Sequence, residues 1–208
     1  MPAPIEKRLR AALAHTSERE PRPLTRIELP LGLDRLLTAK VVKTLKPAAV
    51  LVPIIRRPRG LSVLLTQRSE ELRSHKGQIS FPGGRREDSD ETAAHAALRE
   101  AQEEVGLEPA SVEVIGYLDD YLTVTRYRVT PVVGLLPPQP LRLDEREVAE
   151  AFEVPLSLLV QEKSYERKVF SRSGLNIPFF EINHDGRRIW GATAGMLYNL
   201  MQKMQADK

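Results

Sequence analysis

Residues Gly84–Leu107 read GRREDSDETAAHAALREAQEEVGL. From Glu91 onward the composition is that of a helix, rich in Ala and Glu. Glu100, Glu103 and Glu104 stand at i, i+3 and i+4 and share one helical face. Ala94, Leu98, Ala101 and Val105 recur at helical spacing and form a separate apolar stripe. The two stripes read as nearly opposite, so the helix is expected to dock by its apolar side and turn three carboxylates away. Like charges at i,i+4 cost a few tenths of a kcal/mol. They also lie near the C-terminal end of the helix, where the dipole disfavours them. A hard divalent cation would relieve the conflict; the alternative is a solvated acidic face. Arg99 is placed to hold a carboxylate through a bidentate pair, or else is a surface residue. Asp88 and Glu91 have the spacing of a capping box. His95 lies off both stripes and reads as exposed.

Immediately upstream runs LLTQRSEELRSHKGQISFPGG (Leu64–Gly84). It begins as a strand and ends in a tight turn, where Gly83 and Gly84 after Pro82 give backbone freedom. Such a turn could bring a carbonyl oxygen to a metal held by the next helix, or be an ordinary connection. Arg68, Arg73, Lys76, Arg85 and Arg86 put five cations within 19 residues, and seven acids follow between Glu87 and Glu104. A basic loop beside an acidic helix suits a phosphate ester bridged by metal ions.

Further out, residues 48–57 and 61–68 are apolar and β-branched on either side of PRG, which predicts a hairpin. Residues 111–119 and 128–136 read as strands, and 148–156 as a short strand or turn entering a helix. RKVFSR and PFFEIN are strand-like, and HDGR (184–187) is a hairpin turn signal. From Gly191 a closing helix is predicted, with Met196, Leu197, Leu200, Met201 and Met204 as its stripe. Strands interleaved irregularly with a few helices predict a mixed sheet with helices on its faces. A doubly wound dinucleotide fold is disfavoured, since no G-x-G-x-x-G follows a strand.

The 208 residues suit one domain with an extension. Residues 1–45 are expected to be that extension, a short amphipathic helix (Ile5, Leu9, Ala12, Leu13) followed by an irregular lead-in. Residues 46–208 are the domain. The chain has no cysteine, which excludes a disulfide scaffold, a cysteine zinc site and a thiol nucleophile. That absence fits a cytoplasmic protein. The N-terminus lacks the apolar core of a secretory signal, and no apolar stretch approaches the ~18 residues of a membrane span. A net charge of +3 with 5% aromatics permits a polyanionic ligand but gives little material for stacking bases. Neither a nucleic acid nor a membrane is expected as partner.

Gly84–Leu107 resembles the Nudix box, GX5EX7REUXEEXGU. Arg99, Glu100, Ala101, Glu103, Glu104, Gly106 and Leu107 fall in place. One extra residue separates Gly84 from Arg99, so either Asp90 keeps the first spacing or Glu91 keeps the second. Leu64–Gly84 resembles the signature of the coenzyme A pyrophosphatase branch, L-L-T-x-R-[SA]-x3-R-x3-G-x3-F-P-G-G, at every position. VTPVVGLLPP (129–138) and WGATAG (190–195) are also similar to that branch. The likeness covers about residues 46–205.

The resemblance implies an α+β fold, the α/β/α sandwich of Nudix proteins with a mixed sheet between helices. It implies Mg²⁺ or Mn²⁺ and hydrolysis of the diphosphate of coenzyme A or its acyl or oxidised derivatives. Glu100 and Glu104 are then expected as metal ligands, with Glu103 beside them and the Gly84 carbonyl as a further ligand. Arg68 and Arg73, with Lys76, are expected to hold the substrate's phosphates. Glu145, Glu147 and Glu150 offer a general base. Glu147 is preferred, because an acid just before this strand lies near the metals in related sequences. A homodimer is compatible with the sequence. Two other readings remain: a Nudix hydrolase of ADP-ribose, a dinucleotide or a nucleoside triphosphate, and a non-catalytic nucleotide-binding module.

Overall fold

The structure is a computed structural model that describes residues 4–19, 22–25, 42, 44–72, 75–123, 125–172 and 175–206. Two long strands set its frame. β1 (Lys46–Arg57) and β2 (Gly60–Arg68) form the hairpin foreseen around PRG, with Arg57 opposite Gly60. β7 (Tyr127–Leu136) lies parallel to β1 along its length, from Lys46 beside Tyr127 to Ile55 beside Leu136. Both strands are near-continuous apolar runs, as suits strands covered on both faces.

β1 and β2 stay paired only over Ile54–Arg57 of β1. Toward its start β1 takes a different antiparallel partner, the short β4 (Gly83–Arg85), along Ala48–Val50. The far end of β2 pairs with β3 (Ile79–Ser80). The sheet therefore splays, and the FPGG segment fills the gap, its Pro82 carbonyl accepting the Leu51 N–H at 2.9 Å. Pro53, which has no N–H to give, stands where β1 changes partners.

β5 (Glu113–Tyr117), β6 (Tyr121–Leu122) and β8 (Val148–Pro155) complete the mixed sheet, the first two against β7 and the last against β2. A short helix, α3 (Leu156–Leu159), follows β8. A second, antiparallel sheet holds β9 (Glu166–Arg172), β10 (Leu175–His184) and β11 (Arg187–Trp190). Asp185 and Gly186 turn between the last two at φ +48° and +75°, the type of hairpin that HDGR announces.

One face of the main sheet carries α2 (Ala93–Val105), whose alanines pack on Leu51, Leu64, Val132 and Leu136. The other carries α1 (Pro4–Leu13) and α4 (Gly191–Ala206) in one core with Val52, Ile54, Val63 and Leu65. The arrangement is the α/β/α sandwich expected from the sequence. All five residues of the predicted α4 stripe are buried. Thr193 of α4 ties the helix to the main sheet by donating to the Ile79 carbonyl at 2.9 Å. No described helix is long and apolar enough to cross a membrane.

Candidate active site

α2 begins two residues later than the sequence suggests. Its N-cap is Thr92, whose hydroxyl accepts the His95 N–H at 2.9 Å. The expected capping box of Asp88 and Glu91 does not form, because both residues precede the helix. At the other end Gly106, at φ +70°, turns the chain and donates to the carbonyls of Ala101 and Gln102. This αL turn is why the helix stops at Val105.

The facing of α2 also differs from expectation. Its buried residues are Ala93, Ala96, Ala97, Ala101, Glu104 and Val105, while Ala94 and Leu98 are only partly covered. The centre of the docking face is thus rotated toward the glutamates. The alanines lack bulk, so the helix sits close to the sheet and draws one carboxylate in with it. The three glutamates are unequal as a result. Glu104 is 4% exposed. The side chain of Glu100 is 17% exposed and that of Glu103 60%.

Burial dominates the charge state of the inner two. It pushes Glu104 up to about 8, although the Gly83 N–H, at 3.4 Å, and the charge of Arg68 pull the other way. Glu100 is raised by burial against the opposing pull of Arg99. Each inner carboxylate is also raised by repulsion from Glu147, and Glu104 by repulsion from Glu100. The backbone of Gly84 lies directly against Glu100: a Cβ there would come within 2.5 Å of its carboxylate carbon. A side chain at position 84 and a carboxylate at this place exclude each other.

Asp90, left open against Glu91 by the sequence, is the acid that folds into the site. It is 4% exposed and holds Arg99 by two bonds, Nε to Oδ1 at 3.1 Å and Nη2 to Oδ2 at 3.0 Å. Arg99 keeps its carboxyl below the usual value. The remaining nitrogen of Arg99, Nη1, meets Glu100 at 3.0 Å and Glu103 at 3.1 Å. Glu91 is exposed, and its carbonyl accepts from Arg86. The signal that could have found Asp90 is its count from Gly84, since only that acid keeps the first spacing of the box.

The basic loop reaches the same place. Arg68 ends β2 half-buried, and its Nε is buried without a hydrogen-bond partner among the described residues. The loop closes back on Arg68, whose carbonyl accepts the Gly77 N–H at 3.1 Å and whose N–H bonds the Gln78 carbonyl at 2.9 Å. Lys76 is exposed on this loop, and Arg73 lies outside the described residues. Glu147 is exposed in the turn before β8, and its carbonyl accepts the Ser69 N–H at 2.8 Å. Its turn is pinned to α2 as well: Asp144 N–H donates to the Glu104 carbonyl and Arg142 N–H to that of Val105, each at 3.0 Å. Of the other acids offered as a base, Glu145 is exposed and Glu150 is occupied by Arg187.

The donor chemistry suits a divalent hard cation. Glu100 and Glu104 are oxygen donors, both resist ionisation through burial, and they repel each other and Glu147. Among the described residues no three His, Cys, Asp or Glu side chains form a closed cage. Mg²⁺ needs none, since it keeps several waters and takes one or two carboxylates plus substrate phosphates.

Comparison with known proteins gives the family. The chain matches the NUDIX domain over residues 45–172. It is 46% identical over 156 residues to the "Uncharacterized Nudix hydrolase NudL" of Escherichia coli K12, covering 74% of this chain and 81% of that protein. The protein of the same name from Shigella boydii serotype 18 matches equally. Among solved structures, the Nudix hydrolase RenU from M. smegmatis aligns with a TM-score of 0.48 at 22% identity, over 77% of this chain and 87% of that one. A C. elegans Ap4A hydrolase binary complex aligns with a TM-score of 0.46 at 22% identity, over 53% and 80%. With its glutamate helix intact, the chain belongs to the Nudix family and is a Nudix hydrolase, an enzyme acting on phosphorus anhydrides.

Proposed function

We propose that the substrate is coenzyme A or one of its acyl or oxidised derivatives. Hydrolysis of the diphosphate would give 3′,5′-ADP and the corresponding 4′-phosphopantetheine. One observation carries this reading: the segment that resembles the coenzyme A signature meets the acids of the site at three points. The Gly83 N–H donates to the Glu104 carboxylate at 3.4 Å. The backbone of Gly84 lies against Glu100. The Ser69 N–H holds the Glu147 peptide. The segment that would select the substrate is thereby joined to the residues that would cleave it.

Glu100 and Glu104 would hold Mg²⁺ or Mn²⁺, with the Gly84 carbonyl as a further ligand and Glu103 at the rim. The bound metal would neutralise the diphosphate and lower the pKa of the attacking water. Glu147 would serve as general base for the attacking water. Arg68, with Arg73 and Lys76 of the same loop, receives the phosphates. The reaction is an in-line displacement at one phosphorus with no covalent enzyme intermediate.

The test is a substrate panel on the full chain with Mg²⁺ or Mn²⁺, following 3′,5′-ADP from coenzyme A against AMP from ADP-ribose. Coenzyme A is expected to be the better substrate; preference for ADP-ribose would overturn the substrate and leave the hydrolase. Glu100→Gln and Glu104→Gln should each lower turnover by roughly 100-fold or more, the scale of losing a group that stabilises transition-state charge. Normal turnover at saturating metal would sink the metal assignment. A pH–rate profile unchanged in Glu147→Gln would remove that residue as base. Arg68→Ala should hurt coenzyme A more than its 3′-dephospho form, and an equal loss on both would argue against 3′-phosphate readout.

A further inference from the structure

The described residues of Thr16–Thr25 lie before the matched domain, yet they bind its working parts. Thr16 Oγ1 accepts the Tyr117 N–H at 2.9 Å. Glu18 Oε1 accepts the N–H of Ala93, the first residue of α2, at 2.9 Å, and its Oε2 accepts the Tyr117 hydroxyl at 3.3 Å. Arg22 is buried, with Nε 2.6 Å from Asp120 Oδ1, and it also donates to the carbonyls of Ser17 and Leu118. The Asp120 N–H reaches the Pro23 carbonyl and the Thr25 N–H reaches the Asp120 carbonyl, both at 2.8 Å. β5 is shaped to receive this strap. Its register shifts between Val114 and Gly116, and Gly116 sits at φ +152°. A Cβ at Gly116 would fall 2.6 Å from Thr16 Oγ1 and 2.7 Å from Leu13 Cβ.

We propose that this strap is a clamp on the catalytic helix, and that Glu18 is a positioning residue for the metal-holding glutamates. The inference rests on the reading above that Glu100 and Glu104 hold the metal. The first N–H groups of a helix have no partner within it. Thr92 satisfies one of them, but it is joined covalently to the helix and moves with it. Glu18 satisfies another from a segment fixed to Tyr117 of β5 and to Leu118 and Asp120 just beyond it, so it ties the helix end to the edge of the sheet. A carboxylate is also well placed at the positive end of the helix dipole. The need for an outside tie follows from the packing. The first two turns dock by Ala93, Ala96 and Ala97, which have no long side chains to interlock with the sheet and stop a slide along the axis. The far end is tied separately, through Asp144 and Arg142. With both ends held, Glu100 and Glu104 stay in register with Gly84.

The experiment uses the full chain and Mn²⁺ alone, with bound metal read by electron paramagnetic resonance and α2 followed by amide hydrogen exchange. Glu18→Ala should stay folded and bind Mn²⁺ roughly fivefold to tenfold more weakly, toward the low end of losses from supporting residues around a metal. Glu18→Gln keeps an acceptor oxygen and should remain within about twofold of wild type. Exchange in Glu18→Ala should quicken along the whole helix from Ala93 to Glu104. Thr92→Ala, which removes only the local cap, should quicken the first turn and leave Mn²⁺ affinity unchanged. The clamp is overturned if Glu18→Ala exchanges like wild type along α2, if Glu18→Gln is as impaired as Glu18→Ala, or if Thr92→Ala weakens Mn²⁺ equally. Glu100→Gln separates the two readings. If it leaves Mn²⁺ affinity unchanged, the metal assignment fails, while the exchange pattern still decides the clamp.

Discussion

Asp90 governs which carboxylates Arg99 can serve. By occupying Nε and Nη2 it leaves a single nitrogen for Glu100 and Glu103. Without Asp90 the guanidinium would turn fully onto Glu100 and compete with a metal for it. Asp90→Ala should therefore lower turnover about tenfold, a supporting-residue effect. It should also cost about 2 kcal/mol in urea unfolding, less than for a deeply buried pair, because Arg99 keeps some solvent contact. Unchanged stability would show the pair to be incidental. The sequence offered Arg99 either as the holder of a carboxylate or as a surface residue, and the extra residue ahead of it left both Asp90 and Glu91 open as the first acid of the box. Burial decides between them: Asp90 can reach Arg99 from inside the turn, whereas Glu91 points outward.

Among the elements, α2 and β4 show how a backbone position and a side chain share one space. Gly84→Ala should displace the Glu100 carboxylate, which is the free end of a flexible chain and moves at little cost to the fold. Turnover is expected to fall roughly 100-fold while the melting temperature stays near wild type. Gly83→Ala meets backbone instead, the Ala49 carbonyl at 2.5 Å with φ at +155°, so it should lower stability markedly. Equal melting losses in the two variants would contradict this division. A second prediction at this scale concerns α1. Glu6 and Glu113, from α1 and β5, are bound by Arg10 and Arg56. Arg56 holds Glu6 below its usual 4.5, and Arg10 does the same for Glu113. Carboxylates lowered in the folded state stabilise it above their unfolded pKa, and that contribution is lost as pH falls through the folded value. Stability should thus drop on acidification below about pH 4.5. Glu113→Gln should make that drop shallower, and an acid-unfolding curve that does not change would refute the link.

At the scale of the molecule, the N-terminal helix is a wall of the core. Leu9 and Leu13 are almost wholly buried, in one cluster with residues of α4 and the main sheet. Leu9→Ala should cost about 3 kcal/mol in equilibrium unfolding, the usual loss for a buried leucine. A loss under about 1 kcal/mol would mean that the helix is dispensable. The sequence by itself determined most of the long elements and the residue types gathered at the candidate site. Periodicity placed the hairpins, the long apolar strands, α2 and the α4 stripe, because those patterns depend only on neighbours along the chain. The i, i+3, i+4 glutamates and the glycine turn named an acidic site beside a cationic loop for the same reason. Only the tertiary structure decided how far each glutamate is buried, since that depends on how closely an alanine face settles on the sheet. It alone decided that the β1–β2 pair opens to admit FPGG, and that Glu18 caps a helix 75 residues away. These are contacts between segments remote in sequence, and local spacing carries no record of them.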